Sequence, residues 1–290
     1  MKRILLCLFV VIGFASISQV ALAEEPPLKV GIAAMISPKE TIKCYTNMLN
    51  YLSEKMGKKI TIVQRDNYAE MDSMLEKNEV SVAFVCSGPY VKDHSKFGAE
   101  LLVAPQVHGK AYYQAYIIAN VNSTAQSIDD FKGKKFGFTD PKSNTGKLVP
   151  TFMVAKKFNM TPEAFFSKVE YTGSHDKSIE AVGKKAIDGA SVDGLIYDYI
   201  AAKNPAFTKQ TKIIDRSPLY GIPPIVVNKN IDPEVKKQLR DAFLNLHRDP
   251  KGKAILDSMM IEKFVVVKDS NYDTVRGMEN FVAKQVQGQK

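Results

Sequence analysis

Ser143, Asn144, Thr145 and Gly146 stand together just after a strand-like run, Lys135 to Phe138, that Asp140-Pro141 brings to an end. Short hydroxyl and amide side chains in that place are helix N-caps, and a helical run to about Phe158 supplies the helix to be capped. The first amides of a helix have no intrahelical partner, and the helix dipole adds about half a positive charge there. This spacing therefore makes a socket for a tetrahedral oxyanion, with the hydroxyls of Ser143 and Thr145 as extra donors and Gly146 letting the backbone come close. The same residues also suit an ordinary capped helix after a turn.

Similar groups follow the other strand-like runs: Asp66-Asn67-Tyr68, Cys86-Ser87-Gly88-Pro89-Tyr90, Gly173-Ser174-His175-Asp176 and Ser191-Val192-Asp193. Ligands of open α/β sheets gather outside the carboxyl ends of strands, so Tyr68, Ser87, His175 and Asp193 join the candidate ligand set. Each has a plainer role available: a core aromatic for Tyr68, N-caps for Ser87, Ser174 and His175, and a turn for Asp193. As a ligand-binding group, Asp193 would accept the proton of a hydrogen-bearing oxyanion. His175 beside Asp176 could serve as a general base, but no glycine-flanked serine or reactive cysteine accompanies it. A neutral imidazole donating to an anionic oxygen is the better match. His94, His108 and His247 have no ligand spacing, so neither a zinc site nor a cofactor is expected.

The elements that must position these groups alternate. Strands are expected at Leu28 to Ala34, Lys59 to Val63 and Val80 to Val85, with helices at Glu40 to Met56 and Tyr68 to Lys77 and a short one opening at Ser87-Gly88-Pro89. Two further strands, Leu101 to Val107 and Tyr112 to Asn120, flank a turn at His108-Gly109-Lys110. This order predicts an open, largely parallel sheet. After Asn120 the pattern restarts: a short capped helix at Ser127 to Phe131, the socket strand and helix, a strand at Lys168 to Thr172, a helix at Asp176 to Lys184, a strand at Ile187 to Ser191 and a helix from Gly194 to Lys203. Lys212 to Ile214 predicts a strand, and Ile222 to Asn228 the chain crossing back. The tail, with helices at Pro233 to His247, Lys251 to Met260 and Asn271 to Gln285, has no sheet of its own and is expected to cover the first domain. The expected boundaries are 24–120 with 225–290 for the first lobe and 121–224 for the second, with a cleft between them and hinges near Asn120 and Ile225.

The N-terminus sets the compartment. Lys2 and Arg3 precede an apolar run from Ile4 to about Ile17, and Ala21-Leu22-Ala23 offers small residues where a signal peptidase reads. Cleavage after Ala23 predicts a periplasmic chain of 267 residues with a net charge of +7. Nothing later is apolar for long enough to span a bilayer. The lysines are evenly spread, without the basic runs or aromatic-basic interleaving that nucleic acid requires, so the charge favours an anionic small molecule. Cys44 and Cys86 remain after cleavage, and either a disulfide or two buried thiols fits an oxidising compartment.

The segment Asp140-Pro141-Lys142-Ser143-Asn144-Thr145-Gly146-Lys147-Leu148-Val149-Pro150 resembles the D-P-x-S-x-[ST]-G-x-L-x-P signature of the phosphate, phosphite and phosphonate substrate-binding proteins of ABC transporters. Asp66-Asn67-Tyr68, Val82 to Tyr90, Gly173-Ser174-His175-Asp176 and Ser217-Pro218-Leu219 occur in the matching order, across essentially the whole mature chain. The resemblance implies a type II periplasmic binding protein fold, two α/β lobes around a Venus-flytrap cleft. It also implies that Ser143, Asn144 and Thr145, with Tyr68 and His175, hold phospho or phosphono oxygens, and that a permease and its ATPase are the partners of a monomeric carrier. Members that bind aminoalkylphosphonates place acidic groups where this chain has Leu195 and Pro223, and some carry a tyrosine where it has Val85. A zwitterionic ligand would leave its ammonium unpaired, although Asp193 or Asp198 could substitute. The expected cargo is therefore phosphate, phosphite or a small alkylphosphonate. A periplasmic sensor for another oxyanion or a carboxylate, and a phosphatase using His175 and Asp176, are the alternatives.

Overall fold

The computed structural model describes residues 26–288, without the side chains of 38–44 and 286–288. The expected signal segment and the Cys44 side chain lie outside the described residues. Cys86 is a buried free thiol.

The chain builds two sheets in succession. Strands β1 (Leu28–Ile32), β2 (Ile60–Gln64), β3 (Val82–Phe84) and β4 (Glu100–Gln106) alternate with helices α1 (Pro38–Met56), α2 (Tyr68–Glu76) and α3 (Ser87–Phe97). A two-residue strand β5 (Tyr112–Tyr113) leads to β6 (Ala115–Asn120), β7 (Lys135–Phe138), β8 (Lys168–Tyr171) and β9 (Gly189–Asp193). Between these lie α4 (Val149–Phe158), the single turn α5 (Pro162–Phe165) and α6 (His175–Gly183). The rest is α7 (Gly194–Lys203), β10 (Thr211–Arg216), β11 (Tyr220–Gly221), β12 (Ile225–Val227), α8 (Pro233–Asn245), α9 (Pro250–Ser258), β13 (Lys263–Val265) and α10 (Asp273–Gly288).

The first sheet runs β13-β4-β12-β3-β1-β2 and the second β10-β6-β9-β7-β8. In each, three strands at one end are parallel, β2 and β3 with β1 in the first, β8 and β9 with β7 in the second. Strands that return from the other sheet are antiparallel: β12 against β3 and β4, β6 against β9. Central strands buried on both faces need largely apolar side chains, and β3 and β6 are buried along their whole length. Both faces of each sheet carry a core. Val30, Ile32, Leu52, Phe84, Phe243 and Phe264 fill one side of the first, while Phe131, Phe136, Phe138 and Phe165 fill one side of the second. A third cluster runs from Met71, Leu75 and Tyr90 through Tyr272 to Leu148, Val149 and Ile196, so apolar packing is continuous between the two halves.

Three expectations need correction. The run Tyr112 to Asn120 is not one strand of the first sheet: β5 pairs with β11 in a separate ribbon, and β6 already belongs to the second sheet. The first crossing is therefore at Tyr112–Tyr113, ahead of Asn120. The return crossing is at β11, just before β12 enters the first sheet at Ile225. The tail supplies an edge strand, β13, paired antiparallel with β4. Finally, α8 and α9 pack on α1 as expected, but α10 packs on α3 and on α4, one helix from each half. Its apolar face explains this, since Val275 and Met278 are buried in the shared cluster and Phe281 meets Phe152 edge-to-face at 5.2 Å.

Candidate binding site

The socket begins where β7 ends. Asp140 accepts from the Lys142 amide (2.7 Å) and turns the chain, and its other oxygen accepts from the Tyr68 amide (3.2 Å) at the first turn of α2. One carboxylate thus ties the socket loop to a helix start of the other half. Lys142 adds a second tie, donating to Asp72 on α2 at 2.5 Å.

The helix that follows does not start as an α-helix. Asn144–Leu148 is π-helical, with the Leu148 amide reaching back to the Ser143 carbonyl at 3.0 Å. Such widened turns concentrate at functional sites because they re-aim side chains that an α-turn would stack. Ser143 caps it, its hydroxyl accepting from the Gly146 amide at 3.0 Å. Gly146 is required: a Cβ there would lie 2.3 Å from Thr139 Oγ1 and 2.9 Å from Ser143 Oγ. Gly88 is equally constrained, since its Cβ would meet the Lys142 carbonyl at 2.6 Å, so the first turn of α3 comes up to the socket loop there through bare backbone.

His175 opens α6, behind Ser174. Its Nδ1 accepts from the Asp193 amide at 3.1 Å and lies 3.1 Å from Thr139 Oγ1. An amide can only donate, so the ring proton sits on Nε2. Burial pushes the imidazole down to about 3, against a small opposing pull from Asp176. His175 is therefore a neutral ring that presents an N–H donor. Tyr68 is also a donor: burial foremost, then the nearby Cys86, Asp140 and Asp193, hold its phenol well above the ordinary range.

The deciding feature is what these groups lack. Tyr68 Oη, Asn144 Oδ1, Thr145 Oγ1, Ser174 Oγ and His175 Nε2 are all buried with no hydrogen-bond partner. Native proteins rarely leave such atoms orphaned, because each costs about 1–3 kcal/mol, and these five belong to the socket and the helix starts around it. They hang on connected contacts: Asn144 Nδ2 donates to Tyr113 Oη at 3.0 Å, Ser191 Oγ donates to the Thr145 carbonyl at 2.5 Å, and Thr139 links Gly146 to His175.

Two expected ligands behave differently. The proton of the Ser87 hydroxyl goes to the Gly221 carbonyl (2.6 Å), and its oxygen lies 3.3 Å from Tyr113 Oη. In this arrangement Ser87 braces Tyr113 and has no donor left for an anion. Asp193 caps α7, one oxygen accepting from the Leu195 (2.8 Å) and Ile196 (3.3 Å) amides. Burial nevertheless raises its carboxyl to about 7. Sequence reading missed Tyr113, Thr139 and Ser191. Tyr113 was legible only as a strand aromatic, and the other two as ordinary members of strand ends.

A scan against known families matches residues 30–272 to the phosphonate periplasmic substrate-binding proteins of ABC transporters. The chain belongs to this family. It is 26% identical over 272 residues to the phosphonates-binding periplasmic protein of Escherichia coli, covering 92% of this chain and 79% of that one. Among solved structures, a binding protein component of an ABC phosphonate transporter from Pseudomonas aeruginosa superposes with a TM-score of 0.86 at 24% identity, covering 91% of this chain and 89% of that one. PhnD1 from Prochlorococcus marinus, solved in complex with methylphosphonate, gives 0.80 at 18% identity, covering 89% and 98%. The fold is that of the type II periplasmic binding proteins, as the resemblance implied. The chain is a periplasmic substrate-binding transport protein of the phosphonate family rather than an enzyme, which removes the phosphatase alternative. No described helix is long and apolar enough to cross a membrane.

Proposed function

We propose that this phosphonate-binding family member captures phosphonate, phosphite or phosphate between its lobes and hands it to the permease and ATPase of an importer, after loss of residues 1–23 in the periplasm. Tyr68, Thr145, Ser174 and His175 donate to the ligand oxygens, with the π-turn amides behind them. Asn144 turns its amide so that Tyr113 donates to Oδ1 and the NH2 faces the anion. The four orphaned donors, Tyr68 Oη, Thr145 Oγ1, Ser174 Oγ and His175 Nε2, carry this reading, because a tetrahedral oxyanion supplies several acceptors at once. The lobes pivot at the Tyr112–Tyr113 and Tyr220–Gly221 ribbon. Asp140, Lys142 and Gly88 meet the opposite lobe only when it is shut, so ligand binding shifts an open-closed equilibrium toward the form a permease engages.

Calorimetry of the mature protein with methylphosphonate, phosphite, phosphate and sulfate tests this. The phosphorus anions should bind with dissociation constants below about 1 mM, a free energy beyond about −4 kcal/mol. Sulfate should be at least tenfold weaker, because it carries no proton for the buried Asp193 carboxylate to accept. No binding of any phosphorus anion, or sulfate bound best, would contradict the assignment.

Asp193 also predicts a pH dependence. With its carboxyl held near 7 by burial, it is neutral below that pH and ionised above it, where it accepts from an anion that still carries a proton and repels one that has lost it. Methylphosphonate affinity should fall as pH rises from 6 to 9, and Asp193→Asn should remove the part of that fall which the ligand's own titration does not explain. Superimposable wild-type and variant profiles would refute the role.

A further inference from the structure

Beside the socket lies an apolar cavity of about 130 Å³ between the lobes. Met35, Ile36, Leu195, Ile222, Pro223 and Phe264 are among the residues that line it. Two of its walls belong to the socket as well: the Asp193 amide donates to His175 Nδ1, and the Met35 carbonyl accepts from the His175 amide at 3.1 Å. Resting on the reading above, we infer that this cavity takes the organic substituent of the ligand, and that the cargo is a phosphonate bearing an apolar group of about three to six carbons.

The argument is one of partners. A phosphonate presents three oxygens and one carbon to its site. The orphaned groups satisfy oxygens, so the P–C bond must point toward a wall that makes no hydrogen-bonding demand. The space beyond is close in size to an engineered apolar cavity of about 150 Å³ that binds benzene. The charged or titratable groups lining it are Tyr45, His108, Asp193, Asp198 and Tyr199. Both carboxylates have other partners, Asp193 the α7 amides and Asp198 the Tyr116 hydroxyl at 3.0 Å. An ammonium group placed there would lose its water against Met35, Ile36 and Ile222 and would have to share the Asp193 and Asp198 carboxylates with the α7 amides and the Tyr116 hydroxyl. A saturated carbon in the same place gains from burial.

Competition calorimetry on the mature protein with methyl-, ethyl-, propyl- and butylphosphonate, and with 2-aminoethylphosphonate, separates the possibilities. Each added methylene should tighten binding by about fourfold at full burial. Propylphosphonate should exceed 2-aminoethylphosphonate, its equal in heavy atoms, by at least tenfold. Leu195→Asp should lower the propyl-to-aminoethyl ratio towards one or invert it, a readout within one variant that does not depend on its stability. Methylphosphonate bound more tightly than propylphosphonate, or 2-aminoethylphosphonate preferred by the wild type, overturns the inference and leaves the oxyanion socket standing. Failure of the whole series, methylphosphonate included, overturns the socket along with it.

Discussion

Gly146→Ala should abolish ligand binding, weakening methylphosphonate at least 100-fold by calorimetry. The new methyl group would have to occupy space 2.3 Å from Thr139 Oγ1, 2.5 Å from Thr139 Cβ and 2.9 Å from Ser143 Oγ. None of these is the far end of a flexible chain. Thr139 is fully buried and holds His175, and Ser143 caps the π-turn through the very amide of residue 146. Relief requires either the turn to move or Thr139 to leave His175, and both disperse the donors. Overpacking of this kind costs about 1–3 kcal/mol, so thermal unfolding should also come earlier. Gly277→Ala on α10 is the control: a Cβ there meets nothing within 4 Å, and the change should leave binding intact while raising helix stability by up to about 1 kcal/mol. Binding by Gly146→Ala within threefold of wild type would show that the π-turn does not shape the site.

Tyr68→Phe should lower affinity and raise stability together. With the lobes shut and no ligand between them the Tyr68 hydroxyl is buried and unpartnered, so its removal relieves a desolvation cost of about 1 kcal/mol or more in that form. For a chain of this size that is a melting temperature higher by about 2–4 °C. With ligand, the same change deletes a hydrogen bond to a charged acceptor, worth about 1.5–3 kcal/mol, or about a 10- to 150-fold loss of affinity. A purely structural tyrosine gives the opposite sign in the first experiment. Thermal unfolding with and without methylphosphonate reads both effects, and a variant that melts lower than wild type without ligand and binds as tightly would overturn the role given to Tyr68. Opposed signs of this kind mark residues kept for function at the expense of the fold.

How much of this could be read beforehand depends on the range of the interactions. The socket was legible because Asp140 through Pro150 are contiguous: a strand end, a breaker, capping residues and a glycine in succession. Tyr68 and His175 were legible for the same local reason, each standing at the first position of a helix after a strand. What was hidden came from chain segments far apart. Ser87 looks like a donor until Gly221, brought beside it by the β5–β11 ribbon, takes its proton. The run of Tyr112 to Asn120, rich in aromatic and β-branched residues, reads as one strand, because nothing local at Gln114 announces that the chain leaves one sheet for another. Nor does the amphipathic pattern of α10 reveal that its apolar face serves both halves, since periodicity gives a stripe and not its neighbour. The π-turn has no local signal either, as the residues that make it are good N-terminal helix residues in any register.

The most direct measurement is a crystal structure of the mature protein grown with methylphosphonate. The account places the ligand oxygens at about 2.6–3.2 Å from Tyr68 Oη, Thr145 Oγ1 and His175 Nε2, with the methyl group toward Leu195 and Pro223. A phosphonate bound elsewhere, for instance in the polar groove that includes Lys134 and Lys185, with those three atoms still unpartnered, would contradict it.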